Sequence, residues 1–299
     1  MFTGILLKTL STLAFTFMAL GVRAAASTLP VAEIVLFRCL VSLAVLLFWL
    51  VASGSLGALA TRRPLGHFGR GLSGAAGMFS NFSALALLPL ADATAYFYAS
   101  PIFVTLIAGL VLRENVHASR WLAVLIGFCG VLAMLSEHMA APAPGGAARL
   151  GAEVALFGAL CAALSIVQTR RLAQLETTAA IVFYFTCLCI VFAGLTLALA
   201  REIPALGAQN YVAPDGRAWI GLVGAGVAGG LAQILATSSY RYADASLLAA
   251  FDYTAMVWAL LASLAIYGET PTPAVLAGTA AIAGAGLLVA LSERRFQKR

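Results

Sequence analysis

A few side chains able to hold a polar guest fall inside long apolar stretches: Asn81, Tyr98, Gln168, Gln233, Thr237 and Trp258. The Asn81 and Gln233 amides both donate and accept hydrogen bonds, so they suit a zwitterion without burying a full charge. Tyr98 and Trp258 offer broad faces that stack on an organic ring or hold a cationic amine. Phe17 and Gln168 add candidate walls, Phe17 as an apolar one. Arg38 and Asp252 are the ionisable residues deepest inside apolar runs. Each would cost about 2.5–3.5 kcal/mol facing lipid, so each calls for a partner or a task. They are read as ion-pair or gating candidates, with Arg241 or Arg171 as possible partners for Asp252. Plainer readings stand beside these. An amide or hydroxyl can simply bond a neighbouring helix, worth about 0.6 kcal/mol. Tyr98 can anchor at an interface, Phe17 can pack, and Arg38 can snorkel along its stem.

Other chemistries lack their residues. No Gly-rich loop ends in Lys-Ser or Lys-Thr, and neither HExxH nor GxSxG occurs. Cys39, Cys129, Cys161, Cys187 and Cys189 form no CxxC pair, and His67, His117 and His138 show no ligand spacing. No metal, cofactor or catalytic residue is expected. An intramembrane lipid-modifying enzyme, the rival from another class, needs paired acids or a His with an Asp at one depth, and the sequence offers neither.

The elements that must position the candidates are membrane helices. The chain is 62% hydrophobic and 10% charged, against about 25% charged for soluble proteins. Lipid must therefore surround most of it. Apolar runs of spanning length fall at 4–25, 31–52, 69–89, 93–112, 118–138, 150–172, 177–200, 217–240, 246–267 and 272–292. Breakers separate them, among them Pro30, Pro89, Pro204, Pro214 and the Thr270–Pro273 run. The first run ends in small residues like a signal peptide, but it is long enough to span and completes the topology. Within the fourth run, Pro101 predicts a kink that frees the carbonyl of Phe97.

With the N-terminus inside, the inner side holds Lys8, Arg62, Arg63, Arg70, Arg113, Arg120, Arg170, Arg171, Arg241, Arg294, Arg295, Lys298 and Arg299. The outer side holds Arg23, Arg149, Arg201 and Arg217. This asymmetry puts both termini in the cytoplasm. It also explains the net charge of +6 without nucleic acid.

The chain repeats itself. Residues 69–94 shifted by 152 land on 221–246, so Gly77 meets Gly229, Asn81 meets Gln233, and Ala91-Asp92-Ala93-Thr94 meets Ala243-Asp244-Ala245-Ser246. Glu114 meets Glu269 at a shift of 155, so the second half carries three further residues near Phe251-Asp252-Tyr253. A repeat of five helices is odd, and the second copy must cross the membrane inverted, as secondary transporters do around a midplane site. The expected fold is all-α: ten transmembrane helices in two inverted five-helix repeats, 1–140 and 150–292. A connecting loop spans 141–149 and a basic tail 293–299. Gly226 with Gly230, and Gly127 with Gly130, should let helix backbones approach.

The stretches LADATAYFYASPIFVTLIAGLVLRE at 90–114 and YADASLLAAFDYTAMVWALLASLAIYGE at 242–269 resemble the drug/metabolite transporter superfamily of EamA type. The resemblance covers essentially the whole chain. It implies a metabolite carrier of the bacterial inner membrane and is similar to exporters of amino acids, aromatic ones included. Arg113-Glu114 departs from the Gly-Glu found in the family and at Gly268-Glu269, and is read as a loop difference. The expected partners are a small-molecule substrate and the bilayer, with a monomer as the simplest assembly. Import or exchange of another metabolite or a drug-like cation is the alternative. Because Asp252 is off-centre, a carrier driven by the substrate gradient is expected. Substrate, direction and coupling ion remain open in the sequence.

Overall fold

The computed structural model describes residues 1–25, 28–87, 96–135, 146–200, 211–267 and 273–297. Every regular element among them is helical. In chain order they are α1 Phe2–Ala25, α2 Val31–Ala52, α3 Pro64–Leu87, α4 Ser100–Ile107, α5 Ala118–Leu135, α6 Gly146–Ala173, α7 Thr178–Leu199, α8 Gly216–Ser239, α9 Ala245–Ala249, α10 Thr254–Tyr267 and α11 Pro273–Gln297. A π turn, Ala108–Leu112, extends α4, and a 3-10 turn, Ala250–Tyr253, joins α9 to α10. Six stretches among the described residues have the length and apolar composition to cross a membrane: Phe2–Val22, Val31–Ala52, Arg149–Ala173, Thr178–Leu199, Gly216–Ser239 and Ala245–Ala262. Shorter apolar helices cover Ser100–Leu112, Ala118–Ala133 and Leu276–Leu288. The chain is an integral membrane protein. Ala91-Asp92-Ala93-Thr94, Gly268-Glu269 and His138 lie outside the described residues.

Several boundaries differ from the hydropathy reading. Helix α6 starts at Gly146, inside the expected loop 141–149, and α11 runs to Gln297, through most of the expected tail. Backbone hydrogen bonding continues past the apolar run, which marks only the part lipid can solvate. The fourth segment is not one kinked helix. Residues 96–97 are helical, 98–99 turn, and α4 begins afresh at Ser100 with Pro101 in its first turn. Proline lacks the N–H that a first turn leaves unpaired anyway, so it starts a helix better than it continues one.

Helix ends are closed locally. The Thr177 and Asp215 side chains accept from Ala180 N–H and Ala218 N–H, at 3.1 and 2.7 Å, and cap α7 and α8. Gly54 (φ +63°) ends α2, with Ser55 N–H reaching back to Leu50 O at 2.8 Å. Left-handed backbone is where glycine has no Cβ penalty.

Helix α1 packs along α8, α6 along α3, α5 along α11, and α2 lies against both α7 and α8. Small residues set the closest approaches. A Cβ added at Gly21 would fall 2.6 Å from Gly221 O, and one at Gly77 would fall 3.1 Å from Gly158 O. Gly226 and Gly230 seat α8 on Val41 and Ser42 of α2, and Gly130 seats α5 on the Gly278 carbonyl. The largest buried cluster joins α4, α5, α6, the ninth segment and α11 around Tyr253, Val124, Leu248 and Ile282.

Candidate functional site

A cavity of about 440 Å³ opens among α1, α3, α6 and the fourth and ninth segments. Thr12 and Phe15 line it from α1, Asn81 from α3, and Ala162 and Ile166 from α6. The broken fourth segment supplies Phe97, Tyr98, Ser100 and Pro101, and the ninth supplies Asp252 and Ala255. The break at 98–99 exposes Tyr98 and Ser100 to the cavity and frees the Tyr98 carbonyl, which accepts from the Tyr253 hydroxyl at 3.3 Å. The two tyrosine rings lie 6.0 Å apart. Tyr253 reaches this position because Gly127 makes room: a Cβ there would sit 2.4 Å from its ring.

One wall carries an ion pair. Lys8 Nζ lies 2.6 Å from Asp252 Oδ1 and donates to the Tyr240 hydroxyl at 3.1 Å. Lys8 is buried, whereas the Asp252 side chain keeps 25% of its surface exposed, toward the cavity it lines. Lys8 and Thr12 are four residues apart, so they share one face of α1. Thr12 shares a 2.8 Å hydrogen bond with Thr254 and accepts from Trp258 Nε1 at 3.2 Å. Thr254 also bonds the Phe251 carbonyl at the 3-10 turn. The Phe251 carbonyl at the break is thereby bonded by a side chain.

A second charged cluster ties α5 and α6 to the chain beyond α4 and to the start of α9. The Glu114 carboxylate accepts from the N–H groups of Ala245 and Ser246, both at 3.0 Å, and from the Ser246 hydroxyl at 2.6 Å. An anion there caps the first turn of α9. Arg170 lies 3.6 Å from Glu114 and 2.9 Å from Asp244, and donates to the Tyr240 carbonyl. Arg120 meets Asp244 at 3.1 Å and Ser246 at 2.8 Å. Gln174 adds a bond to the Tyr240 carbonyl at 2.9 Å.

The candidates from the sequence are dispersed. Asn81, Tyr98 and Asp252 line the cavity together, and Trp258 stands one hydrogen bond behind it through Thr12. Asp252 pairs with Lys8, not with Arg241 or Arg171; Arg241 instead donates to the carbonyls of Ala173 and Glu176. Arg38 does not snorkel to lipid. Its guanidinium rests against Met18 Sδ at 3.8 Å and Met78 Sδ at 3.5 Å, inside the bundle. Gln233 is half-buried on α8 and is not a cavity-lining residue; Thr237 is fully buried with its hydroxyl unpaired among the described residues. Gln168 turns to an external groove and bonds Ser73 at 3.2 Å, and Phe17 is 58% exposed.

Neither Lys8 nor Glu114 is a site candidate by sequence. Lys8 reads as a helix flank until its spacing to Thr12 is noticed, and Glu114 reads only as the acidic end of the fourth run.

Comparison with known proteins gives the site its context. The EamA-like transporter family model matches residues 2–136 and again 149–291. The pseudopaline exporter CntI of Pseudomonas aeruginosa is 30% identical over 92% of this chain and 92% of its own. The S-adenosylmethionine uptake transporter of Rickettsia prowazekii is 27% identical over 88% and 84% of the two chains. The riboflavin transporter of Vibrio cholerae is 29% identical over 85% and 80%. A solved crystal structure at 22% identity superposes with a TM-score of 0.83 over 96% of this chain and 98% of the other, so the fold is shared. The chain belongs to the EamA-like transporters of the drug/metabolite transporter superfamily, membrane carriers of small metabolites.

Proposed function

We propose that this chain is a secondary transporter of the bacterial inner membrane that exports a compact amino-bearing metabolite, aromatic or neutral amino acids being the favoured class. The observation that carries the reading is the cavity, in which a charge-neutral Lys8–Asp252 pair, the Asn81 amide and the Thr12 and Ser100 hydroxyls face aromatic walls. Small-molecule sites span about 300–1,000 Å³, and 440 Å³ favours a compact solute. An ammonium group suits the open edge of Asp252, a carboxylate the Asn81 amide and Ser100 hydroxyl, and a ring the faces of Phe15 and Phe97. Export follows the pseudopaline exporter among the relatives; the S-adenosylmethionine uptake transporter stands for the opposite direction.

Alternating access would run between two inverted five-helix units, 1–140 and 150–292, with ten crossings and both termini cytoplasmic. Two features support it. The family model matches twice along the chain. Helix contacts also come in exchangeable sets: α1 with α8 against α6 with α3, and α2 with α7 and α5 with α11 as self-paired sets. A twofold axis in the membrane plane exchanges such sets. The Glu114–Arg170–Asp244–Arg120 cluster is then the closed inner gate. With Asp252 occupied by Lys8, the cavity offers no unpaired carboxylate, which favours a carrier driven by the substrate gradient.

Counterflow in proteoliposomes tests the reading. Vesicles preloaded with unlabelled phenylalanine are expected to accumulate labelled phenylalanine transiently, with an end point unchanged by an imposed pH gradient. No counterflow with any neutral amino acid would overturn the cargo class. An Asp252→Asn protein that binds normally but loses pH-driven accumulation would overturn the coupling.

A further inference from the structure

Outside the transport path, an external groove of about 590 Å³ runs between α3 and α6. Three guanidinium groups gather along it: Arg62 and Arg63 from the chain before α3, and Arg171 near the end of α6. The lining includes no Asp or Glu. Among the described residues none of the three arginines has a carboxylate within salt-bridge distance. The Glu176 carboxylate lies beside Arg62 and Arg63 in an adjoining pocket, where it accepts from the Thr61 hydroxyl at 3.1 Å and the Arg62 backbone N–H at 3.3 Å but reaches none of the three guanidinium groups.

The groove walls continue as apolar stripes. On α3, Leu65, Phe68 and Leu72 stand at i, i+3 and i+7; on α6, Leu164, Gln168 and Arg171 stand at i, i+4 and i+7, with Leu175 in the turn just beyond. Each set shares one helix face. Leu65 is 84% exposed, and Phe68, Leu72, Leu164 and Leu175 are exposed as well. In a membrane helix this face meets acyl chains. Gly66 lets Leu172 of α6 close to 3.1 Å of its would-be Cβ and forms the groove floor. A cluster of cations at one end of an apolar channel has the charge and shape of a phospholipid: phosphate against the guanidinium forks, chains along the stripes.

We propose that this groove holds one anionic phospholipid, its phosphate bound by Arg62, Arg63 and Arg171. The site stands on the groove alone and does not depend on the cargo or the direction of transport.

Thermal unfolding of the delipidated full-length protein in detergent tests it, with phosphatidylglycerol, phosphatidylcholine and inorganic phosphate added separately. Phosphatidylglycerol is expected to raise Tm by about 3 °C more than phosphatidylcholine. R63Q/R171Q should lose more than half of that difference. R149Q/R217Q, which removes the same charge from exposed positions elsewhere, should keep it. Equal shifts with both lipids would overturn the proposal, as would a shift reproduced by phosphate alone or a difference surviving in R63Q/R171Q. If R63Q/R171Q is not recovered folded, native mass spectrometry of the wild-type protein decides. One retained phosphatidylglycerol supports the site, and adducts that match those of phosphatidylcholine overturn it.

Discussion

In the fourth segment a proline starts a new helix after a two-residue turn; in the ninth a 3-10 turn interrupts the helix with no proline at all. Both breaks face the same cavity, and Tyr98 and Tyr253 meet there, hydroxyl to carbonyl. The causes differ. The fourth segment breaks because Pro101 has no N–H to give to the Phe97 carbonyl. The ninth turns without a proline, through the 3-10 turn Ala250–Tyr253 between α9 and α10. What this turn brings is Asp252, and with it the bond to Lys8. The fourth segment contributes hydroxyls and aromatic faces, whereas the ninth contributes charge. The two breaks thus give the cavity unlike sides, which a zwitterion with two unlike ends would need.

The largest effect should come from cutting the charge that only the ninth segment has. Lys8→Met leaves the Asp252 carboxylate without its partner inside the bundle. Breaking a buried pair from one side costs about 3–5 kcal/mol. Unfolding in mixed micelles should show a loss near the lower end, since Asp252 keeps some exposure, and transport should fall more than tenfold. K8M/D252L removes both charges and should recover at least half of the stability but not the transport. A double variant as unstable as K8M would mean that the 3-10 turn of the ninth segment serves packing, not charge.

A smaller effect should separate the two causes of breakage. Pro101→Ala restores an N–H that can reach the Phe97 carbonyl, so the fourth segment can run on as one helix. Stability should hold or rise slightly, while transport falls about tenfold as Tyr98 and Ser100 leave the wall, an estimate resting on the cost of misplaced binding groups. Tyr253→Phe should do the reverse. It removes the bond to the Tyr98 carbonyl and costs about 1–2 kcal/mol, with the turn kept by its backbone. Unchanged flux in P101A would detach the break from the site.

These contrasts also mark how far the sequence could be read. Apolar runs and breakers located the helices because lipid demands about 20 apolar residues per crossing. Asn81, Tyr98 and Asp252 stood out because polar groups are costly at that depth. Gln168 and Phe17 fall outside the cavity lining because a residue's depth is legible in a sequence while its direction around an all-apolar helix is not. With hydrophobic residues on every side, no amphipathic stripe marks the inner face. Lys8, Arg70 and Arg120 read as inner-side flanks in the sequence, yet all three are buried among helices. Their charge fitted the positive-inside pattern, and a pattern already satisfied prompts no search for partners. Pro101 marks a disturbance of the fourth segment, but whether it kinks one helix or starts another depends on distant donors that the local sequence does not name, here the Tyr253 hydroxyl, which donates to the Tyr98 carbonyl.

The smallest expected effect concerns the end of the fourth segment. Arg113 sits at φ 55° and ψ 34°, and among the described residues it is the one non-glycine with positive φ. Its departure from Gly-Glu is therefore more than a loop difference, because the turn requires a left-handed residue to aim Glu114 at the N-terminus of α9. A side chain there costs about 1–2 kcal/mol, and glycine gives back about 0.5–1 kcal/mol in chain entropy. Arg113→Gly should thus stabilise the protein by about 0.5–1 kcal/mol and leave transport unchanged. Arg113→Ala removes the same charge but keeps a Cβ, so it should gain less than glycine does. The difference between the two variants in thermal unfolding isolates the backbone contribution. If alanine stabilises as much as glycine, the gain comes from removing the charge, and the turn at Arg113 carries no backbone strain.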